Sequence, residues 1–217
     1  MSLEYFIGAA SGAAPAIAAT AVITSGVIRR RAAIDPLTGI PSRAGLPVLE
    51  RLVRRGLRRG EHTAVVVLDL RGFKQVNDTH GHDAGDMVIR AVAQRLAACD
   101  QVRGVVRLGG DEFAAVVTSP TGVSWKALLT AINVALASTG VRVSESATVY
   151  PSATIGAAIA QPGDTLTELL SGADYAMYRA RLLDDDVNVK DGGIRVYPRD
   201  GIRPRDVRPA RPEVVHQ

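Results

Sequence analysis

The chain has 217 residues, 47% of them apolar and 22% charged, which is enough to bury a core in one domain of ordinary size plus terminal extras and which excludes disorder throughout. Its one cysteine, Cys99, excludes a disulfide framework or a cysteine-built zinc site within a single chain and reads as a small apolar residue near a helix end. The net charge of +4 gathers in Arg29 to Arg31, in the arginines at 51, 54, 55, 58 and 59, and in an Arg/Pro-rich tail; with aromatics at 4% and none interleaved with these arginines, a stacking surface for single-stranded nucleic acid is not expected.

Tyr5 to Ile28 contains no charged residue and is followed at once by Arg29-Arg30-Arg31. A helix of that length spans a bilayer core of ~30 Å. The favoured reading of residues 1–31 is one membrane span with the basic cluster on the cytoplasmic side, which places the rest of the chain in the cytoplasm. A cleaved signal peptide fits less well, because the basic cluster follows the apolar run, and a helix packed on the soluble domain or a partner is the third reading. Residues 32–45 form a turn-rich connector, and Pro47 opens a helix whose arginines at 51, 54, 55 and 58 share one solvated face, opposite Leu49, Leu52, Val53 and Leu57. Thr63 to Leu70 reads as a strand buried on both faces and ending at Asp69. Residues 71–86 read as a long polar, glycine-bearing loop, and such loops inside a compact domain usually carry function.

A helix is predicted over Asp86 to Ala98. Next comes a tight hairpin at Arg107-Leu108-Gly109-Gly110-Asp111-Glu112-Phe113, in which Gly-Gly supplies the positive φ values of a two-residue turn between the apolar runs Val102 to Leu108 and Phe113 to Val117. Further helices are predicted over Ser124 to Ala137 and Thr165 to Arg181, and strands over Ser152 to Ala160 and Gly193 to Tyr197. The resulting order defines an α+β sandwich of helices on a sheet within residues 32–198. The tail at 199–217 is too polar and proline-rich to fold alone.

Several of these residues suit phosphate chemistry. Asp69 at a strand end and Asp111 in the turn are hard oxygen ligands of the kind Mg²⁺ takes alongside water and substrate phosphates. Glu112 beside them could hold a second ion or accept a proton. Lys74 and the amides around Gly72 and Phe73 could hold phosphate oxygens, and Asn77 with Asp86 offers the donor and acceptor pattern that reads a purine edge. Each has a plain structural alternative: solvated turn acids for Asp111 and Glu112, a helix N-cap for Asp86, a turn former for Asn77, a surface charge for Lys74.

Taken jointly, the motifs resemble the GGDEF domains of diguanylate cyclases. The matching stretches are Asp35-Pro36-Leu37-Thr38-Gly39; Asp69 through Phe73-Lys74 and Asn77-Asp78 to Gly85-Asp86; Arg107 to Phe113; and Ala173-Asp174 through Ala176-Met177-Tyr178, together covering about residues 33–185. The resemblance implies a ferredoxin-like, nucleotide-cyclase-like palm with an antiparallel-rich sheet. It implies GTP as substrate, Mg²⁺ or Mn²⁺ as cofactor, and a homodimer in which two GTP-loaded protomers make cyclic di-GMP and two pyrophosphates. By the same resemblance Asp69, the Leu70 carbonyl and Asp111 are metal ligands, Glu112 binds a second metal or helps ionise the attacking hydroxyl, Asn77 and Asp86 read guanine, and Gly109-Gly110 leave space for the nucleotide.

Four positions depart from the family pattern. Arg181 stands where a phosphate-binding Lys is usual, keeping the charge but changing the reach. Asp184-Asp185 falls where a Gly-Arg pair is usual, and three consecutive aspartates at 184–186 are expected to repel a triphosphate. Ser42 replaces a common Asn. Asp100-Gln101-Val102-Arg103 lacks the Arg-x-x-Asp order of the product-inhibition site, so inhibition through that site is not expected. These departures keep a second reading open, that of a catalytically silent domain that senses GTP or docks a partner. With fewer than forty residues ahead of the domain, dimerisation is expected to come from the apolar segment, the basic helix or encounter of substrate-loaded protomers.

Overall fold

The computed structural model describes residues 33–191. The order of elements is α1 (Leu46–Arg58), β1 (His62–Leu70), α2 (Phe73–His80), α3 (His82–Ala98), β2 (Val102–Gly109), β3 (Glu112–Ser119), α4 (Trp125–Ala137), β4 (Val141–Arg142), β5 (Thr148–Val149), β6 (Ala153–Ile159), α5 (Leu166–Leu182) and β7 (Val187–Asp191). Five strands form one sheet in the order β2-β3-β1-β6-β7, antiparallel throughout except for the parallel β6–β7 pair, while β4 and β5 pair separately. This is the mixed α+β, antiparallel-rich palm that the sequence led us to expect.

Strand β1 lies at the centre, and its continuous apolar run has a direct cause. Successive side chains point to opposite faces, and both faces are covered by helices. Val65 and Val67 pack with Leu49 and Val53 of α1 and with Leu169, Ala173 and Met177 of α5. Val66, Leu68 and Leu70 pack with Val88, Ile89 and Val92 of α3 and with Leu129 and Leu136 of α4. On α1 the arginines at 51, 54, 55 and 58 are exposed while Leu49 and Val53 are buried, so the basic stripe is a solvated face.

Helix α5 approaches the sheet closely because both sides are small. A β-carbon on Gly156 of β6 would lie 2.1 Å from the Ala173 carbonyl oxygen and 2.2 Å from the Met177 amide nitrogen. The helix starts from a capping box, in which Thr165 accepts from the Glu168 amide and the Glu168 carboxylate accepts from the Thr165 amide.

Three expectations are corrected. Residues 71–86 are not one loop: α2 occupies Phe73–His80, between glycines at 72 and 81, and α3 begins at His82, four residues before the predicted start at Asp86. The polar composition of α2 hid a short apolar stripe, Phe73 and Val76, which packs against the core. The hairpin turn proper is Gly110-Asp111, one residue later than expected: Gly109 still pairs with Glu112 and Leu108 is bulged out of the ladder, while both glycines have the expected positive φ, 144° at Gly109 and 53° at Gly110. Lastly, Val187–Asp191 forms a strand parallel to β6 that its brief Val-Asn-Val alternation gave too weak a signal to predict. The strand predicted at Gly193 to Tyr197, the membrane segment within residues 1–31 and the tail lie outside the described residues. Among the described residues no helix is long and apolar enough to cross a membrane.

Gly156→Ala tests how closely α5 must approach. The added methyl meets backbone atoms that cannot rotate away, so we expect a loss of about 2–3 kcal/mol in urea unfolding, larger than for alanine at the open, exposed Gly60.

Candidate active site

The β1–β3 register is the frame of the site. It pairs Asp69 with Glu112, one step past Leu68 with Phe113, and the Leu70 amide donates to the Asp111 carbonyl at 3.3 Å. Cross-strand partners point to the same face. On this face β3 buries Ala114 and Val116 toward α1 and α5, so Asp69 and Glu112 end the same face at the edge of the core. Asp111 is in the turn beside them.

The turn is held from behind by Arg107. Its Nε and Nη2 donate to the Gly110 carbonyl at 3.1 and 2.8 Å, and its Nη1 donates to both carboxylate oxygens of Asp35 at 3.0 and 3.1 Å. Asp35 also accepts from the Thr38 amide and hydroxyl, at 2.9 and 2.7 Å. The Arg107 amide donates to the Pro41 carbonyl, which fastens the connector along the edge of β2. Burial works to raise the Asp35 carboxyl, but the hydrogen bonds from Thr38 and Arg107 outweigh it and hold its pKa below the ordinary carboxylate value.

Helices α2 and α3 hold the residues predicted to read a base. Gly72, with φ of 67°, turns the chain out of β1 and into α2, so the first amides of this helix, from Phe73 on, have no acceptor within it. Lys74 is exposed and pairs with Asp78 one turn along. Asn77 lies against Gly85 of α3, where a β-carbon would come within 2.0 Å of Asn77 Oδ1. That oxygen is buried and, among the described residues, has no hydrogen-bond partner, an orphaned acceptor of the kind a bound donor satisfies. Asp86 lies next in α3, half-buried, and because the helix starts at His82 it is not an N-cap; its nearest cation is Arg90, at 3.9 Å.

The C-terminal end of α5 closes the site from the other side. Arg181 Nη2 donates to Asp69 Oδ2, so this guanidinium sits on the acidic cluster itself. The aspartates that follow are each paired with a cation. Asp185 pairs with Lys126 of α4, and its carboxyl is held below its ordinary pKa chiefly by that lysine. Asp184 and Asp186 both pair with Arg71, the residue after β1. Ser42 lies beside Arg107 at the edge of the sheet. At the far end of the sheet Arg103 donates to Thr118 Oγ1 at 2.9 Å, and Asp100 is exposed.

The acidic cluster is electrostatically loaded. Asp69 is pushed up to about 6, mainly by burial, with Asp111 and Glu112 repelling its charge and Arg181 opposing them. Asp111 is also raised, again mainly by burial, with Glu112 adding to the effect and Arg181 and Arg107 offsetting part of it. Among the described residues no three Asp, Glu, His or Cys side chains form a ready-made metal cage. A hard cation that takes one or two carboxylates and completes its shell with a carbonyl, water and phosphate still fits this donor set, and it would relieve the repulsion. Asp69 and Asp111 are the carboxylates that could hold it, with Leu70 between them in the β1–β3 pairing.

Fold and site together define a nucleotide-cyclase-like palm with an acidic hairpin at the strand ends. The sequence matches the family described as "Diguanylate cyclase, GGDEF domain" over residues 32–185, and the chain belongs to that family. It is 40% identical over 153 residues to the diguanylate cyclase TpbB of Pseudomonas aeruginosa, an alignment covering 68% of this chain and 34% of that protein. It is 32% identical over 159 residues to the diguanylate cyclase DosC of Escherichia coli, covering 71% of this chain and 34% of the relative. The chain thus spans about a third of the length of these relatives. Among solved structures, the coiled coil and GGDEF domain of DgcB from Caulobacter crescentus, in complex with c-di-GMP, superposes with a TM-score of 0.63 at 26% identity, covering 81% of this chain and 96% of that one. The isolated GGDEF domain of TpbB superposes with a TM-score of 0.61 at 35% identity, covering 74% and 95%.

Sequence reasoning did not pair Asp35 with Arg107, 72 residues apart, although both lay in motifs it had singled out. It also passed over Arg71, whose place two residues after Asp69 on the strand period was the available signal.

Two pH effects of opposite sign are expected in the metal-free protein. The folded state binds a proton at Asp69 more tightly than the unfolded chain does, so this group should lower stability as pH rises from about 4 to about 6, and Mg²⁺ should restore the loss above pH 6. Urea titrations of the wild type and Asp69→Asn, with and without Mg²⁺, read this slope, which the variant should lack. Asp35, with its depressed pKa, contributes stability that is present above the ordinary carboxylate range and is lost as pH falls through its folded value. At neutral pH Asp35→Ala should cost about 2 kcal/mol, the scale of hydrogen bonds to a charged group.

Proposed function

We propose that the chain is a diguanylate cyclase, joining two GTP into cyclic di-GMP and releasing two pyrophosphates. The observation that carries this reading is the β1–β3 register, which sets Asp69, Asp111 and Glu112 together at the strand ends, where a cation and a triphosphate are needed.

In this reading Asn77 and Asp86 hold the guanine: the orphaned Oδ1 of Asn77 accepts from the base, and Asp86 accepts from its ring and exocyclic N–H groups. The amides of Gly72 and Phe73 and the Lys74 ammonium take phosphate oxygens at the start of α2. Gly109 and Gly110, without side chains, leave room for the nucleotide along the turn. Asp69, the Leu70 carbonyl, Asp111 and in part Glu112 would hold a divalent ion, Mg²⁺ or Mn²⁺, which would supply neutralisation of the charge that develops on the phosphates. Arg181, paired with Asp69 in the structure, is within reach of the same site and would take a phosphate oxygen there. Glu112 favours loss of the proton from the attacking 3′-hydroxyl. The 3′-oxygen then bonds to the α-phosphorus of a GTP held by a second copy of the chain, the α–β bridging bond breaks, and pyrophosphate leaves. One chain holds half of this site, so catalysis needs a homodimer.

We further propose that residues 1–31 anchor the chain in the cell membrane as a single span, with the catalytic domain at 32–198 in the cytoplasm and residues 199–217 as a tail. The composition of residues 5–28 and the basic cluster after them support this.

The test is turnover by the full chain with GTP and Mg²⁺ or Mn²⁺. Cyclic di-GMP and pyrophosphate are expected in a ratio of one to two, and Asp111→Ala should lower the rate at least about a hundredfold, the scale of losing a group that stabilises transition-state charge. A folded, dimeric, GTP-binding preparation that makes no product would rule this function out. The pairing of Arg181 with Asp69, together with the acids at 184–186, favours the second reading, a silent GTP sensor or docking module. Calorimetry showing GTP binding without turnover would select it.

A further inference from the structure

At the end of α5, past Arg181, Asp184 and Asp185 stand where the family pattern has a Gly-Arg pair, so a second triphosphate contact is missing there. The structure places a second guanidinium against this acidic run. Arg71 follows β1 directly, and its amide donates to the Ser152 carbonyl at 2.9 Å, extending the β1–β6 ladder one step past Leu70 and Ala153. Strand alternation therefore keeps Arg71 on the face of Asp69, toward the end of α5. The contacts agree: Asp69 pairs with Arg181, and Arg71 pairs with Asp186 and, at 3.6 Å, with Asp184.

We propose that Arg71 is the second triphosphate-binding cation of this chain, held in store by Asp184 and Asp186 until nucleotide arrives. The inference rests on the cyclase reading for the position of the triphosphate. Two observations and one general argument support it. Arg71 stands between the Leu70 carbonyl, a candidate metal ligand, and Gly72, which opens the amide-bearing start of α2, so metal, amides and guanidinium converge on residues 69–74. The side chains of Arg71, Asp184 and Asp186 are 43%, 96% and 50% exposed, and pairs so solvated contribute little stability. A phosphate that accepts two parallel N–H bonds from the fork is the stronger partner and can take the guanidinium away. The aspartates thus shield the site from their own charge by engaging a cation. This accounts for how the acidic run can sit beside a triphosphate site.

Calorimetry on the full chain in Mg²⁺ tests this, with a GTP analogue whose α–β bridge is a methylene, which cannot release pyrophosphate, and with GMP as the comparison. Arg71→Gln should weaken the analogue by about tenfold or more, the scale of losing a charge-assisted bidentate contact, and leave GMP within about twofold by the same reasoning. Asp184→Asn with Asp186→Asn should tighten the analogue, and adding Arg71→Gln to that pair should abolish the gain; independent effects that simply add would overturn the storage role. Equal weakening of analogue and GMP by Arg71→Gln, or no weakening, would overturn the phosphate role. Thermal melting of each variant separates misfolding from lost binding, and Arg71→Lys should recover part of the affinity. Turnover by the wild type with an unaffected Arg71→Gln sinks this inference alone, whereas analogue binding that depends on Arg71 without any turnover sinks the cyclase reading alone.

Discussion

The antiparallel register of β1 against β3 is the constraint on which the site depends. It sets Asp69 opposite Glu112 and brings the Leu70 amide to the Asp111 carbonyl. A slip of one residue would turn Asp69 toward α3 and α4 and bring Leu68 and Leu70 to the wrong face, so burial of the hydrophobic run enforces the position of the acids. The same pairs that bury Val65 and Val67 against α1 and α5 thereby aim the carboxylates past the end of the core.

Two further contacts build on that register. Small residues on α5 and Gly156 on β6 let helix and sheet meet backbone to backbone, which delivers Arg181 to Asp69 and the aspartates at 184–186 to Arg71. Arg107 reaches from β2 to the Gly110 carbonyl and to Asp35, so the connector before α1 is tied to the turn that carries Asp111. Segments distant along the chain thus hold one short hairpin in place. The carboxylates they crowd together would repel one another, and that cost is what a bound cation can offset.

The charges at the end of α5 change meaning once their partners are seen. Read along the chain, three aspartates where a cation is usual look hostile to a triphosphate. In the fold, Lys126 takes one of them and Arg71 the other two. The charge sum at the site is therefore set by residues from β1 and α4 as much as by α5.

The sequence by itself determined the sheet core and singled out the acids that the fold brings together. The doubly buried run at 63–70, the glycine hairpin, the helix from Thr165 and the acids at 69, 111 and 112 are local signals, carried by side-chain periodicity and turn chemistry. The same local reasoning missed α2, whose apolar stripe is two residues wide within a polar segment, and β7, whose pairing partner lies across a helix in sequence. It located the turn one residue early, because the bulge at Leu108 is visible only against β3. What only tertiary structure decided is which charges meet: Asp35 with Arg107, Asp69 with Arg181, Arg71 with Asp184 and Asp186. Ion pairs carry no periodicity, and their partners here lie up to 115 residues apart, so only the packed sheet and helices could bring them together.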